Sequence, residues 1–179
     1  MRKVRRAIII SAAMIALGAE ASAHVTLEQS EARVGASYKA VLKVPHGCEG
    51  TATTSIHVRI PAGFIAVKPM PKPGWTLATK EWAYDKTYNF FHGRTLKEGV
   101  TEISWSGGKL PDAWYDEFVL AGFLAGEVKP GETLYLPVVQ ECEKGTHRWI
   151  EIPEPGKSAG DLPEPAPALR LVPATAPRH

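Results

Sequence analysis

The residues with the clearest chemical potential lie in the stretch Ala21-Ser22-Ala23-His24-Val25-Thr26. If the chain is cut after Ala23, His24 becomes the first residue, and its α-amine and imidazole Nδ1 close a chelate ring on one metal ion. One residue then supplies two nitrogen donors. Nitrogen and carboxylate donors in a tetragonal arrangement suit Cu(II), which also heads the divalent affinity series. The amine must lose a proton to bind, and its reference pKa of about 7.7 to 8.0 makes that easy near neutral pH. A third donor has two candidates, Glu28 and Glu31. Strand alternation puts Glu28 on the same side as His24, whereas Glu31 gets there only if the chain bends near Gln29-Ser30.

The cut itself is expected from residues 1–23. Arg2, Lys3, Arg5 and Arg6 form a basic start, Ala7 to Leu17 a short apolar run, and Ala21-Ser22-Ala23 a small-x-small junction. This is the pattern of a cleaved secretory signal. The apolar run is shorter than the roughly 20 residues a bilayer-spanning helix needs, so no membrane span is expected in the mature chain. Removing 23 of the 179 residues leaves 156, a length suited to one domain with a real core. The whole chain carries a formal charge of +2, but four basic residues and Glu20 lie in the signal, so the mature part is slightly acidic at −1. Nothing in that balance calls for nucleic acid. The expected location is the periplasm.

Two cysteines, Cys48 and Cys142, face an oxidising compartment, and a disulfide is the default for such a pair. The rival is zinc: His46-x-Cys48 and Cys142-x4-His147 together offer two imidazoles and two thiolates. Secretion argues against it.

The elements that must position these groups are strands. Tyr38 to Val44 and Thr53 to Ile60 alternate apolar and polar residues, ended by Pro45-His46-Gly47 and Pro61-Ala62-Gly63. Further strands are expected over 64–68, 75–80, 86–91, 101–105, 116–125, 133–140 and 146–152. No stretch shows a capped helical stripe. Many short strands at this spacing predict an all-β, immunoglobulin-like β-sandwich over residues 24–153, with Cys48 and Cys142 stapling distant strands. From residue 154 to 179 the composition turns rich in Pro and Ala, which predicts a flexible, disordered tail.

Taken together, "HVTLEQSEARVGASYKAVLKVPHGC", "TTSIHVRIPAGF", "KPGWTLATK" and "GTHRWIEIP" resemble the YcnI-like family of extracytoplasmic copper-binding proteins. The resemblance covers nearly the whole mature domain, and the histidine directly after the signal is its most specific feature. It implies an all-β sandwich that binds Cu(II) through a monohistidine brace. It also implies that His24 chelates through amine and ring, that Glu31 rather than Glu28 is the carboxylate ligand, and that Trp149 sits at the metal. Without the resemblance, Trp149 reads equally well as a core residue whose indole N–H is bonded nearby.

The other histidines carry less. His57 alternates with Ile56 and Val58 as a strand-surface residue; His46 lies in a turn; His92 and His147 read as loop and strand-surface residues, although His147 shares a strand face with Trp149. Met70 is the only methionine after residue 23, which disfavours a thioether site for Cu(I). Hydrolase motifs of the G-x-S-x-G, H-E-x-x-H and P-loop kinds are missing from the sequence. The residues therefore point to a non-enzymatic Cu(II) protein for uptake, storage or delivery, with a membrane copper transporter or a copper chaperone as recipient. The alternative is a metal-free immunoglobulin-like interaction module of the cell envelope; a copper oxidase or monooxygenase ranks below both.

Overall fold

The structure, a computed structural model, describes residues 24–174. The secretory signal expected over residues 1–23 lies outside the described residues.

Among the described residues, twelve strands build a sandwich. One sheet has the order β1 (Thr26–Leu27), β3 (Ser37–Val44), β8 (Asp116–Leu124), β5 (Phe64–Pro69), and the facing sheet runs β11 (Thr146–Trp149), β10 (Val138–Cys142), β4 (Thr53–Arg59), β7 (Thr95–Leu110), β6 (Thr76–Asn89). A three-stranded sheet of β2 (Glu31–Arg33), β12 (Ala168–Val172) and β9 (Thr133–Tyr135) closes one edge. All ladders are antiparallel except β2 with β12.

Alternation explains the core. On β3, Tyr38, Ala40, Leu42 and Val44 point inward, and on β4 Ile56 and Val58 meet them, with Trp105 and Phe118 filling the centre. The Trp105 indole donates to the Met70 carbonyl at 3.0 Å, so its one polar atom is paired inside. His57, between Ile56 and Val58, stays on the outer face beside Glu141 at 3.5 Å.

Several expected boundaries move for physical reasons. The segments 75–80 and 86–91 are one long strand, β6, bulged between Ala83 and Tyr88 where it pairs with β7. The segment 133–140 is two strands in different sheets. Leu136 and Pro137 form the switch: the Leu136 N–H reaches the Pro167 carbonyl, Pro137 has no N–H, and the Pro137 carbonyl accepts from Arg59.

The flexible tail expected from 154 onward is corrected at residues 168–172. There Leu169 and Leu171 are fully buried while Arg170 faces out, and the strand is paired on both sides, with β2 and β9. Five residues suffice because both edges are supplied by distant parts of the chain, which local composition does not reveal. Before it, Ser158 and Asp161 cap a short 3-10 turn reciprocally.

Cys48 and Cys142 form a disulfide across 94 residues of sequence. The zinc alternative, which needs both thiolates, is thereby removed.

Candidate metal centre

The end of the sandwich where β1 begins gathers residues from four segments. The β10–β11 hairpin sets Gln140 opposite His147 and Val138 opposite Trp149. His147 and Trp149, two positions apart, share a face, with Gln140 as their cross-strand neighbour. Trp149 is buried, and its Nε1–H donates to Gln140 Oε1 at 2.9 Å. The same amide donates from Nε2 to the His46 carbonyl at 2.7 Å and to Thr53 Oγ1 at 2.8 Å. A fully buried glutamine thus has both of its polar atoms engaged and ties three strands and a loop together.

The loop after β3 is pinned as firmly. The Gly47 N–H donates to Asp112 Oδ1 at 3.0 Å, and a Cβ on Gly47 would fall 1.8 Å from the Thr51 carbonyl oxygen, so only glycine fits. Cys48 is joined to Cys142 one residue later. Between these anchors, the His46 imidazole approaches that of His147 edge-on, with ring centroids 5.9 Å apart.

His24 reaches the same end. Val25 and Leu27 are buried in the core, which fixes the start of β1 against β3, and the half-buried His24 ring lies 5.3 Å from the Trp149 ring, tilted by 50°. The same indole system also meets His147, stacked at 4.9 Å. Trp149 is therefore both a core residue and the aromatic neighbour of His24, so the two readings of it are not exclusive.

The carboxylates are placed as follows. The chain leaves β1 at Leu27, bends at Glu28, just before the expected Gln29-Ser30, and enters β2 at Glu31. The exposed Glu31 carboxylate accepts two donations from Arg170, from Nε at 2.7 Å and from a terminal guanidinium nitrogen. Both fall on Oε1, and Oε2 carries no hydrogen bond to the described residues. Glu28 lies near two phenols instead. Burial, and secondarily the Glu28 charge, pushes the Tyr38 hydroxyl up to about 12. That hydroxyl donates to the Gln29 carbonyl at 2.6 Å, bracing the bend.

The donor types present suit Cu(II): the imidazole of His24 and, on Glu31, a carboxylate that an arginine orients through one oxygen. Among the described residues no three or more His, Cys, Asp or Glu side chains gather into a ready cage.

Glu164 is a contributor that the sequence reading missed. It comes from the segment taken as tail, and its Oε1 accepts from His147 Nδ1 at 2.7 Å while its Oε2 accepts from the Arg148 N–H at 3.0 Å. Glu164 is itself fixed by its own N–H, which donates to Glu151 Oε2 at 2.6 Å. No local pattern marks it; a carboxylate twelve to twenty residues past a histidine is too common to signal anything.

Fold and edge strands define an immunoglobulin-like β-sandwich with a histidine-rich end. The chain belongs to the family described as Domain of unknown function (DUF1775), whose model matches residues 24–171 and so takes in β12. Among solved structures it is similar to an uncharacterized protein from Nocardia farcinica with an immunoglobulin-like fold, at 23% identity and a TM-score of 0.59, over 83% of this chain and 98% of that one. A cohesin module from the family 33 glycoside hydrolase of Clostridium perfringens also matches, at 12% identity and a TM-score of 0.49, over 84% and 97% of the two chains. No curated protein matches the chain. No helix among the described residues is long and apolar enough to cross a membrane.

Proposed function

We propose that the mature protein is a periplasmic Cu(II)-binding protein serving copper uptake, storage or delivery. His24 chelates the ion through its α-amine and Nδ1, Glu31 adds a carboxylate oxygen, and Trp149 stands beside the metal. The observation that carries this reading is the position of His24: directly after a small-x-small junction, at the first residue of the family match, with its ring 5.3 Å from Trp149. An indole there shields one side of the ion from water. Glu31 is preferred to Glu28 because Arg170 holds it as second-sphere partners hold ligating carboxylates. The ion's recipient is a membrane copper transporter or a copper chaperone.

The test is a Cu(II) titration of protein secreted with its own signal, its new amino terminus checked by intact mass, followed by electron paramagnetic resonance. Beside it runs a sample with one extra residue before His24. The expected result is a type-2 spectrum with amine coordination in the native sample, and its loss in the extended one. Glu31→Gln weakens that site and Glu28→Gln leaves it unchanged; the reverse pattern assigns Glu28. Binding should also weaken as pH falls below the amine pKa of about 7.7 to 8.0, since the protonated amine cannot bind.

A metal-free interaction module is the second reading, favoured by the exposed aromatics Trp82, Trp114 and Tyr115. It replaces the copper reading if neither the native nor the extended sample binds Cu(II).

A further inference from the structure

We infer that His46 and His147 form a second metal site, distinct from the amino-terminal brace, which takes a first-row divalent ion, Cu(II) by preference. Two imidazoles that share an ion at about 2.0 to 2.1 Å per nitrogen have ring centroids about 4.5 Å apart at a right angle and about 6.4 Å apart when collinear. The observed 5.9 Å lies inside that span.

Both rings are oriented by the same kind of partner. His147 Nδ1 donates to the Glu164 carboxylate at 2.7 Å, and His46 Nδ1 donates to the Gly47 carbonyl at 2.5 Å. Each oxygen acceptor takes a hydrogen bond from Nδ1, which is the arrangement found behind metal-ligating histidines.

The frame around them is rigid. Gln140 holds the His46 carbonyl, Asp112 holds the next N–H, and the Cys48–Cys142 disulfide links the two segments that carry the pair. The disulfide removes the thiolates from the zinc set suggested by the spacing, but leaves its two imidazoles side by side. Two nitrogens with the remaining positions filled by water make an exchangeable site rather than a closed structural one. It lies one indole away from His24, since Trp149 touches both His24 and His147. An ion held there is next to the brace without using the amine.

That independence from the amine separates its test from that of the brace. Four mature proteins are titrated with Cu(II): native, extended by one residue before His24, H46A/H147F, and the extended form carrying H46A/H147F. H147F keeps a ring stacked on Trp149 while deleting the nitrogens; thermal melting checks that each variant is folded, and H46A or H147F alone replaces the double variant if it is not. The expected stoichiometries are two, one, one and none, with the ion in the extended protein coupled to two imidazole nitrogens in its pulsed electron paramagnetic resonance spectrum. Glu164→Gln should weaken this second site by about 10- to 100-fold. An extended protein that binds no copper, or that keeps it unchanged in H46A/H147F, overturns the inference. If instead native and extended proteins both bind one ion that H46A/H147F loses, the second site stands and the brace falls.

Discussion

The two sides of the candidate centre are held in opposite ways. Around His147 and Trp149, position is over-determined: a disulfide, a buried glutamine engaged through both its polar atoms, a glycine with no room for a Cβ, and a carboxylate behind the imidazole. Around His24 and Glu31, the chain is held by a two-residue ladder to β3, a three-residue ladder to β12 and an exposed ion pair. The difference assigns the tasks. In the proposed copper reading the rigid side sets where an ion sits and the lightly held side supplies the donors that close on it, so binding should organise the amino terminus more than the hairpin.

The largest way to break this contrast is to remove the staple. Cys48→Ala with Cys142→Ala should cost about 4 to 5 kcal/mol of stability, the chain-entropy value for a loop of this length, read by urea unfolding of the folded variant. A cost below about 1 kcal/mol would mean that Gln140 and Asp112 hold the loop without it. Next in size is Trp149→Phe. The ring stays, but Gln140 Oε1 loses its buried donor, and about 1 to 3 kcal/mol should go with it. An unchanged midpoint would show that the glutamine relaxes, and that the rigid side is softer than its bonds suggest.

On the other side, the bend before β2 has its own signature in alkaline solution. The folded Tyr38 phenol is pushed up to about 12, whereas its ordinary value is 10.0, so between those values the folded chain keeps a proton the unfolded chain has lost. Its contribution to stability is complete below pH 10 and disappears as pH rises toward 12. Tyr38→Phe should flatten that part of the stability profile; an identical profile removes Tyr38 from the account. The smallest effect is expected at Arg170→Gln. An exposed pair contributes about 0 to 1 kcal/mol, so the melting temperature should barely move. A larger loss would place the β2–β12 edge on the rigid side and erase the contrast.

Much of the framework was legible in the residues. Period-two alternation in Tyr38 to Val44 and in Thr53 to Ile60 marked β3 and β4 because one face of each is buried along its whole length. Pairing of the only two cysteines followed from their number and the signal-like start. What escaped was short and supported from afar. β1, β2 and β12 have two, three and five residues, too few for a pattern, and they exist because β3 and β9 offer edges to them. The strand called single across Pro137 was split because its halves pair with different sheets.

The sequence by itself determined an all-β chain with one disulfide and a histidine at its signal-like junction, since alternation, cysteine number and junction residues act over a few positions each. Only the tertiary structure decided that His46, His147, Glu164 and Trp149 meet His24 at one end of the sandwich. Their neighbourhood depends on ladder registers, on the β3–β4 loop and on a returning segment more than a hundred residues away. Contacts of that separation are fixed by the packing of the whole core, and no local spacing encodes them.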